Sequence, residues 1–481
     1  MKSTALLFAL CACLATEAGE AQNLPTGNGG FPNVQQTPGE LLAGLIAPQQ
    51  GRTAIFAYHG GVLFSIPEEP SSQPNSDFQV RTWDISNPRA PVQLSILGRT
   101  PMPINAHGYF QRGEYLVLGP NPPPGPAWTF RAHASGTLER TTFPDTPFGT
   151  ANRGDTFLPW NVGPTYRLYF PSQANAEVRL NGQQLGSWDH LGLTGVIGHP
   201  FLLGNLLIYA AEESRTGVAT YDLSNPAAPV LLDVLRFGGP GGYWPELWSG
   251  GGRLYVVFPY RIDGNGFRVV DVTDPTDIRF VADRPLPGAT AQYAQFQDEY
   301  GFIGDHKIDM RTLESVLHLD GANVIRPSDG GRGVDTSQFA LPLGNLLVTG
   351  GIGPNQGMAI WAHQAQPDLR GPSVTYHVPR SGQTGYPVGA PISLLIHETL
   401  DTLSVNAANV RVCANPCPVS GGGVAAALTV AFDDLLTLTP NAPLAVNTTY
   451  ELRIDNLRDA AGNAMPAPYR FTFSTGAVVG G

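Results

Sequence analysis

The chain has 481 residues, and 28 Lys and Arg against 39 Asp and Glu give it a formal net charge of −11 at pH 7. With lysine only at Lys2 and Lys307, the sequence offers no basic stripe for a phosphate backbone, which argues against nucleic-acid binding. The 57 Gly and 44 Pro stand between regular apolar runs and therefore indicate the turns of many short strands. We expect an all-β protein that is large enough to bury two cores.

The first 21 residues have the order of a secretory signal peptide. A positive charge at Lys2 precedes the apolar run 5–14, and small residues in 18–21 offer a cleavage site after Ala21. The apolar run is too short to span a bilayer, and no later segment is apolar enough to do so. We expect residues 1–21 to be removed, residues 22–38 to form an N-terminal extension, and the protein to be exported to the periplasm, the cell surface or the medium.

The same segment has a second interpretation. Residues 10–13, Leu-Cys-Ala-Cys, resemble a lipobox, in which Cys13 becomes the lipidated first residue and supplies a lipid anchor. The apolar core before Cys13 is short, which favours simple cleavage after Ala21.

A short motif recurs three times and defines a repeat. Asp, a branched apolar residue, Ser or Thr, Asn or Asp, and Pro occupy positions 84–88, 222–226 and 271–275. The last two copies start 49 residues apart and the first two 138 apart, or three periods of about 46, the length of a four-stranded propeller blade. Because Pro fixes φ and removes a ladder donor, each motif is expected to form the turn between the last two strands of a blade.

These copies resemble the bacterial LVIVD-repeat propellers, whose units end in a strand, then Asp, then Ser-Asn-Pro and a further strand. The resemblance implies a β-propeller. The other blades are predicted from apolar strands that follow a turn and start at intervals of roughly 40 to 50 residues: 61–66, 114–118, 166–170, 205–209, 253–257, 300–303 and 345–349. We expect a seven-bladed propeller over residues 39–366, with six or eight blades as the alternatives.

The last predicted blade lacks a strand. The chain passes from the apolar strand 358–361 into the linker-like residues 364–372. The apolar segment 40–46 is expected to pair with that strand and to join the two ends of the propeller. A short helix is the alternative for this segment, since Leu, Ala and Glu favour helices.

A second domain follows the linker 367–371. Short alternating runs of apolar and polar residues over about 100 residues indicate one β-sandwich. Residues 372–476 resemble the bacterial Ig-like domain of S-layer and other surface proteins in segments 379–382, 388–392, 440–450 and 457–463. We expect this domain to bury a core separate from that of the propeller, and residues 477–481 to form a C-terminal tail.

Cysteine usage agrees with export. Once Cys11 and Cys13 leave with the signal peptide, Cys413 and Cys417 are the remaining pair, and both lie in one loop. Two Cys are too few for a zinc site, so a disulfide between them is expected.

The motifs point to no catalytic residue, metal or cofactor. His397-Glu398 begins like a zinc-protease helix, but the second His is missing four residues later and the surrounding pattern is that of strands. The Gly-rich residues 351–357 link two strands, so no helix N-terminus faces an anion. The Gly-x-Ser-x-Gly elbow of hydrolases is absent.

Two groups of residues are candidates for binding a partner. The first is an aromatic cluster flanked by Gly-rich runs, comprising Tyr243, Trp244, Trp248 and Tyr260. Exposed aromatic side chains stack on sugars or fill a partner's pocket, but packing in the blade cores is the favoured alternative. The second is a set of histidines that precede predicted strands and would converge at one mouth of the ring, namely His59, His107 and His199. A single backbone hydrogen bond in a turn is the favoured alternative for each.

The missing catalytic motifs favour a non-enzymatic binding or scaffold protein of the cell envelope. Its propeller face would recognise a protein or glycan, with the Ig-like domain as spacer or attachment module. One alternative is an enzyme of the glycosidase, lyase or quinoprotein type, whose scattered site in the central funnel would leave no linear motif. A second alternative is that the chain is the N-terminal part of a larger surface protein.

The signal-peptide interpretation predicts that exported protein starts near Gln22, because cleavage follows the small residues before it. N-terminal sequencing of periplasmic or secreted material checks this prediction. Retention of Met1 would contradict export, and a lipid-modified Cys13 at the N-terminus would establish the lipoprotein alternative.

Overall fold

The protein is all-β in the part of the chain that its computed structural model describes. The described residues are 20–23, 30–46, 52–68, 80–97, 109–112, 115–118, 128–132, 137–141, 157–158, 166–169, 175–180, 183–189, 198–211, 217–237, 245–260, 265–287, 293–319, 339–350, 358–431 and 434–477. Among them, the only helix is the short 3-10 helix Thr402–Ser404. No described helix has the length and apolar character needed to cross a membrane.

The N-terminal strands are β1 (Glu20–Asn23) and β2 (Leu41–Ile46). The first four-stranded antiparallel sheet then follows in chain order, with strands β3 (Arg52–His59), β4 (Val62–Glu68), β5 (Val80–Asp84) and β6 (Val92–Leu97). A second antiparallel run consists of β7 (Tyr109–Arg112), β8 (Tyr115–Leu118), β9 (Trp128–Ala132) and β10 (Thr137–Thr141). Strand β1 pairs with β10 at the outer edge of this run.

Four further sheets repeat the same order. The third has strands β11 (Phe157–Leu158), β12 (Tyr166–Tyr169), β13 (Asn175–Leu180) and β14 (Gln183–Asp189). The fourth has β15 (Gly198–Leu203), β16 (Leu206–Ala211), β17 (Gly217–Asp222) and β18 (Val230–Arg236). The fifth has β19 (Glu246–Gly250), β20 (Arg253–Tyr260), β21 (Gly266–Asp271) and β22 (Arg279–Pro285). The sixth has β23 (Ala294–Gln297), β24 (Tyr300–Ile303), β25 (His306–Asp309) and β26 (Glu314–His318).

One more four-stranded sheet, the last in the chain, takes its fourth strand from the N-terminal segment. It contains β27 (Phe339–Leu343), β28 (Leu346–Gly350) and β29 (Met358–Ala362), and β2 pairs with β29 in antiparallel register from Leu41 opposite Trp361 to Ile46 opposite Met358. The predicted pairing is confirmed, and the segment is a strand rather than a helix.

The repeated motif forms the turn between the third and fourth strands of three sheets, as predicted. The carboxylate oxygen Oδ1 of Asp222 accepts the backbone N–H of Ser224 at 2.8 Å, and Asp84 and Asp271 make the same bond at 2.8 and 2.9 Å. The fourth motif residue repeats this device: Asn225 accepts the N–H of Ala227. The motif is therefore a pair of overlapping Asx turns, which explains its Asp and Asn positions.

All seven predicted apolar strands are strands, and each is the second strand of its group. Neighbouring groups contact each other through their first strands, from β19 to β23, from β23 to β27 and from β27 to β3. The last sheet therefore lies beside the first.

The C-terminal domain, residues 372–476, contains two sheets. One has the order β33-β34-β31-β30, from strands β30 (Tyr376–Val378), β31 (Ile392–Leu395), β33 (Ala426–Ala431) and β34 (Leu435–Pro440). The other has the order β32-β35-β36, from β32 (Val410–Ala414), β35 (Thr449–Ile454) and β36 (Tyr469–Ser474). Apolar side chains of both sheets belong to one buried core. The predicted disulfide between Cys413 and Cys417 is confirmed, with the two Cα atoms 5.1 Å apart.

The expectation that the two parts bury separate cores is wrong. The core of the C-terminal domain is continuous with that of the fourth sheet, and β33 also pairs with β7. Gly204, in the β15–β16 turn at φ 61°, allows the close approach, because a Cβ there would lie 2.5 Å from both Tyr386 Oη and Val378 Cγ1. Both faces of β31 are consequently buried. The alternation of apolar and polar residues along the sequence does not show which outer face of a β-sandwich packs against another domain.

The pairing of β2 with β29 predicts that a chain beginning at Gly51 loses cooperative unfolding or solubility relative to one beginning at Gln22. Removal of β2 exposes the backbone of β29 as an unpaired edge. Calorimetric unfolding of the two chains checks this, and identical melting would contradict it.

A pair of point variants separates the strand from the rest of the segment. Leu42 is 7% exposed, and Leu42→Ala should cost about 2 to 5 kcal/mol of unfolding free energy. Val34 is 50% exposed, and Val34→Ala serves as the matched control with little expected effect.

Candidate functional site

The C-terminal domain covers one end of the sheets. In five sheets, the turn between the first and second strands, or the strand end beside that turn, faces the C-terminal domain. Each of these five sheets makes a hydrogen bond to that domain. The pairs are His59 Nδ1 with Thr402 Oγ1 (2.9 Å), Gly204 N with Ser393 Oγ (3.0 Å), Ser249 N with His397 Nε2 (2.6 Å), Asp298 N with the His397 carbonyl (2.7 Å) and Thr399 Oγ1 with the Pro342 carbonyl (2.7 Å). We call this surface the domain junction.

The opposite end of the sheets is reached by the second strands, because antiparallel strands reverse direction at each turn. Strands β16, β20 and β24 finish there at Ala211, Tyr260 and Ile303. We call this the far end. It is where the connections between second and third strands begin.

His397 contacts two of these sheets, the fifth and the sixth. Its Nε2 accepts the backbone N–H of Ser249, and the ring packs beside Trp248 and Phe296, with ring centroids 6.3 and 5.6 Å away. Because Nε2 accepts, a neutral ring carries its proton on Nδ1, which is 3.8 Å from Asp434 Oδ2. Burial lowers the pKa of His397 to about 3, so the imidazole is neutral in the fold.

Two further acids are buried beside His397. Burial raises the pKa of Asp434 well above its ordinary value, and burial together with the neighbouring Asp434 does the same for Glu246. The Glu246 side chain accepts the backbone N–H of Leu247 at 3.0 Å. This part of the junction thus lowers its charge by protonating carboxyls.

A group of three carboxyls lies next to this pair. Oxygens of Asp298, Asp368 and Glu398 all lie within 4.8 Å of one another, and Gln297 Nε2 donates to Asp368 Oδ2 at 3.0 Å. Burial raises the pKa of Asp298 to about 6, and burial followed by the charge of Asp368 raises the pKa of Glu398 well above its ordinary value. A proton on Glu398 therefore relieves the repulsion within the group.

Three carboxylates also match the oxygen ligands of Ca²⁺. However, Arg370 Nη1 lies 3.4 Å from Asp298 Oδ1, and the positive charge of Lys307 also acts on Asp298 and Asp368. These two cations already offset the negative charge. We interpret the group as part of the packing between the domains.

The predicted aromatic cluster is divided between the two ends. Trp248, 7% exposed, stacks on Tyr255 and His397 at the domain junction. Tyr260 follows Tyr255 by five residues along β20, about 17 Å in an extended strand, and lies at the far end. Tyr243 and Trp244 lie outside the described residues.

Tyr260 is held by its neighbours at the far end. Its hydroxyl donates to Asp283 Oδ1 at 2.6 Å, and Arg268 Nε donates to Asp283 Oδ2 at 3.0 Å. The Arg268 guanidinium lies 5.4 Å from the ring centroids of both Tyr260 and Phe237. Burial, followed by the bond to Asp283, raises the pKa of Tyr260, so the hydroxyl is a hydrogen-bond donor at neutral pH.

Two of the three predicted histidines, His59 and His199, are not brought together. His59 ends the first strand β3 and contacts the C-terminal domain, whereas His199 lies near the start of the first strand β15, at the opposite end of its sheet. His107 lies outside the described residues, as does Cys13. Binding of a partner at any of these predicted residues stays a prediction.

Most junction residues were not predicted from the sequence, and His59 and Trp248 were named only as candidates for binding a partner. His397-Glu398 was recognised only as an incomplete zinc-protease motif and was interpreted as structural. Both residues are buried, which agrees with a structural role. Asp368 stands in the predicted linker, yet it is 3% exposed, and its backbone N–H donates to Asn33 Oδ1 at 2.8 Å. No local pattern marks such a residue, because its partners are distant in sequence.

Comparison with known proteins supports the assignment of the second domain. Residues 368–475 match the family model of the bacterial Ig-like domain. This match indicates a protein of the bacterial surface type. No curated protein sequence matches the chain significantly.

Three solved structures resemble parts of the fold. The computationally designed Ika8 protein is 13% identical, with a TM-score of 0.38 over 83% of this chain and 99% of that one. Sqt1 of Saccharomyces cerevisiae is 10% identical, with a TM-score of 0.43 over 66% and 97%. Raptor of Chaetomium thermophilum is 11% identical, with a TM-score of 0.43 over 73% and 29%. At these TM-scores and identities the similarities carry no argument about fold or function.

The raised pKa of Glu398 predicts a pH-dependent effect of Glu398→Gln, which keeps the shape of a protonated Glu but cannot ionise. A buried acid with a raised pKa contributes stability below its ordinary value of 4.5 that is lost as pH rises towards the folded value. Above pH 4.5, and as pH rises towards the folded pKa, the variant should therefore gain stability relative to the parent, by up to about 1.4 kcal/mol per pH unit.

Denaturant unfolding at several pH values measures this difference. Glu314→Gln, at an exposed side chain, is the matched control and should show no such trend. Destabilisation by Glu398→Gln at the higher pH would mean that the junction requires the ionised carboxylate.

Proposed function

We propose that the protein is an exported binding or scaffold protein of the bacterial cell envelope, built from a propeller and an Ig-like domain. The Ig-like domain covers one end of the propeller, and the far end recognises a protein or glycan. The domain match and the disulfide of the C-terminal domain support an exported, surface-type protein.

The propeller part of the proposal has structural support. Groups of four consecutive antiparallel strands follow one another, neighbouring first strands touch, and the last sheet lies beside the first. Strand β2 completes the last group from the other end of the chain. Ring closure by a strand from the opposite terminus removes an exposed edge. Seven such groups are the count that we propose.

One observation carries the functional part: five sheets are bonded at the same end to a single domain. A domain held at so many points is fixed in orientation, so we propose a rigid cap rather than a flexible spacer. The capped end is occupied from within the chain. Recognition of a partner is therefore assigned to the far end, which includes the exposed Arg236 at the end of β18 and Tyr260, which is 8% exposed and supports that surface from below.

The three clustered carboxyls of the junction, Asp298, Asp368 and Glu398, do not favour the enzyme alternative. Asp368 and Glu398 are each 3% exposed and lie between the sheets and the C-terminal domain. A substrate would have to displace that domain to reach them. We therefore retain the binding proposal.

The proposal is tested by applying the chain that starts at Gln22 to cell-envelope fractions and to a glycan array. Arg236→Ala and Tyr260→Ala at the far end should weaken capture roughly tenfold or more, since Arg and Tyr often dominate such interfaces. Arg279→Ala is the matched control, because Arg279 is 73% exposed at the opposite end of the fourth strand β22.

Melting temperatures of all three variants exclude unfolding as the cause. The proposal is wrong if capture survives both far-end substitutions but is lost with Arg279→Ala. That result would place recognition at the end of the sheets that carries the C-terminal domain. Turnover of an array glycan would establish the enzyme alternative.

A further inference from the structure

Two histidines face each other across a hairpin at the far end of the sixth sheet. His306 begins β25 and is paired directly with His318, the last residue of β26. Asp305 precedes His306 in the tight turn from β24, where Gly304 has φ 62° as a two-residue hairpin requires. The turn and the strand register thus bring one carboxylate and two imidazoles to one place.

The hydrogen bonds of His306 leave one ring nitrogen for a ligand. Nδ1 lies 2.8 Å from Ser315 Oγ, a contact that favours the proton on Nδ1 and the lone pair on Nε2. The residue is 6% exposed, the backbone of Pro287 lies near the ring, and no described residue hydrogen-bonds Nε2 within 3.5 Å. This nitrogen lies 3.7 Å from Asp305 Oδ1. A buried imidazole with an unused lone pair is costly unless something binds there.

His318 supplies the third ligand atom and the access route. Its Nε2 lies 3.2 Å from Asp305 Oδ2, and its side chain is 44% exposed. The two imidazole rings are stacked, with centroids 4.2 Å apart and planes inclined by 9°. The three ligand atoms all lie within 4.8 Å of one another. Ligands of a tetrahedral zinc ion with bonds of about 2.0–2.1 Å lie about 3.3 Å apart. The stacked rings must therefore tilt apart for both imidazole lone pairs to point at one ion.

We propose that Asp305, His306 and His318 bind one divalent transition-metal ion, of which Zn²⁺ fits best. Two imidazoles and one carboxylate are three protein ligands of the kind that Zn²⁺ takes, and the exposed side of His318 leaves a fourth position for water or for a group of a partner. The site lies at the far end, but it does not depend on the proposed function.

The neighbouring lysine does not oppose the ion. Successive residues of a strand point to opposite faces, and the Lys307 ammonium lies on the other face, 3.9 Å from the Tyr300 ring centroid and 3.1 Å from His363 Nδ1. The local charge at the ligands is therefore that of Asp305. A simple hydrogen bond from His318 to Asp305 is the competing interpretation.

Isothermal titration of the chelator-treated full chain with ZnCl₂ tests the proposal. We expect one ion per chain, with His318→Gln and Asp305→Asn each lowering the affinity roughly tenfold or more. His377→Gln is the matched control, since His377 is a half-buried histidine of the C-terminal domain and should leave the affinity unchanged. Replacement of Zn²⁺ by Co²⁺ should give the strong visible absorption of a four-coordinate site.

The result that overturns the proposal is equally specific. It is the lack of binding in the micromolar range, or binding that His318→Gln and Asp305→Asn leave unchanged. Because His318 is exposed, its substitution is expected to preserve the fold, and circular dichroism of each variant verifies this.

Discussion

The pairing of β2 with β29 is the interaction on which the rest of the arrangement depends. It anchors the N-terminal segment across the last sheet, where the Gly39 N–H donates to the Ala362 carbonyl at 2.8 Å. Residues 30–38 are then placed so that Asn33 bonds to the backbone of Asp368 and Val34 accepts from Asn345 at 2.6 Å. The linker that leads into the C-terminal domain is fixed by the same segment that completes the last sheet.

Asp368 connects the sheets to the C-terminal domain through hydrogen bonds on both sides. Its carboxylate accepts from Gln297 of the sixth sheet, and its carbonyl accepts from Asn463 of the C-terminal domain at 3.0 Å. The junction around it is polar yet buried, and such groups are tolerated only when they are bonded or neutral. The lowered pKa of His397 and the raised pKa of Glu398 are the physical consequence.

The two ends of the sheets consequently differ in character. At the domain junction, apolar contacts such as Gly204 against Tyr386 and buried hydrogen bonds consume the turns of five sheets. At the far end, Asp283 and His318 are 40% and 44% exposed, whereas Tyr260 and His306 are 8% and 6% exposed. A partner bound at the far end, as we propose, would not compete with the chain's own domain. This asymmetry follows from the docking of one domain and not from the repeat itself.

The sequence by itself determined the local features of this protein. The Asx turns at Asp84, Asp222 and Asp271 form because each side chain accepts a hydrogen bond from the backbone two residues later. The apolar second strands are continuous runs of a few residues, and Cys413 and Cys417 are only four residues apart. Even β2 was predictable, because an unfinished sheet requires a strand. Only the tertiary structure decided that the C-terminal domain docks on the sheets and that Asp305, His306 and His318 meet. Those contacts depend on register and on the relative position of distant elements, and neither leaves a periodic signal along the chain.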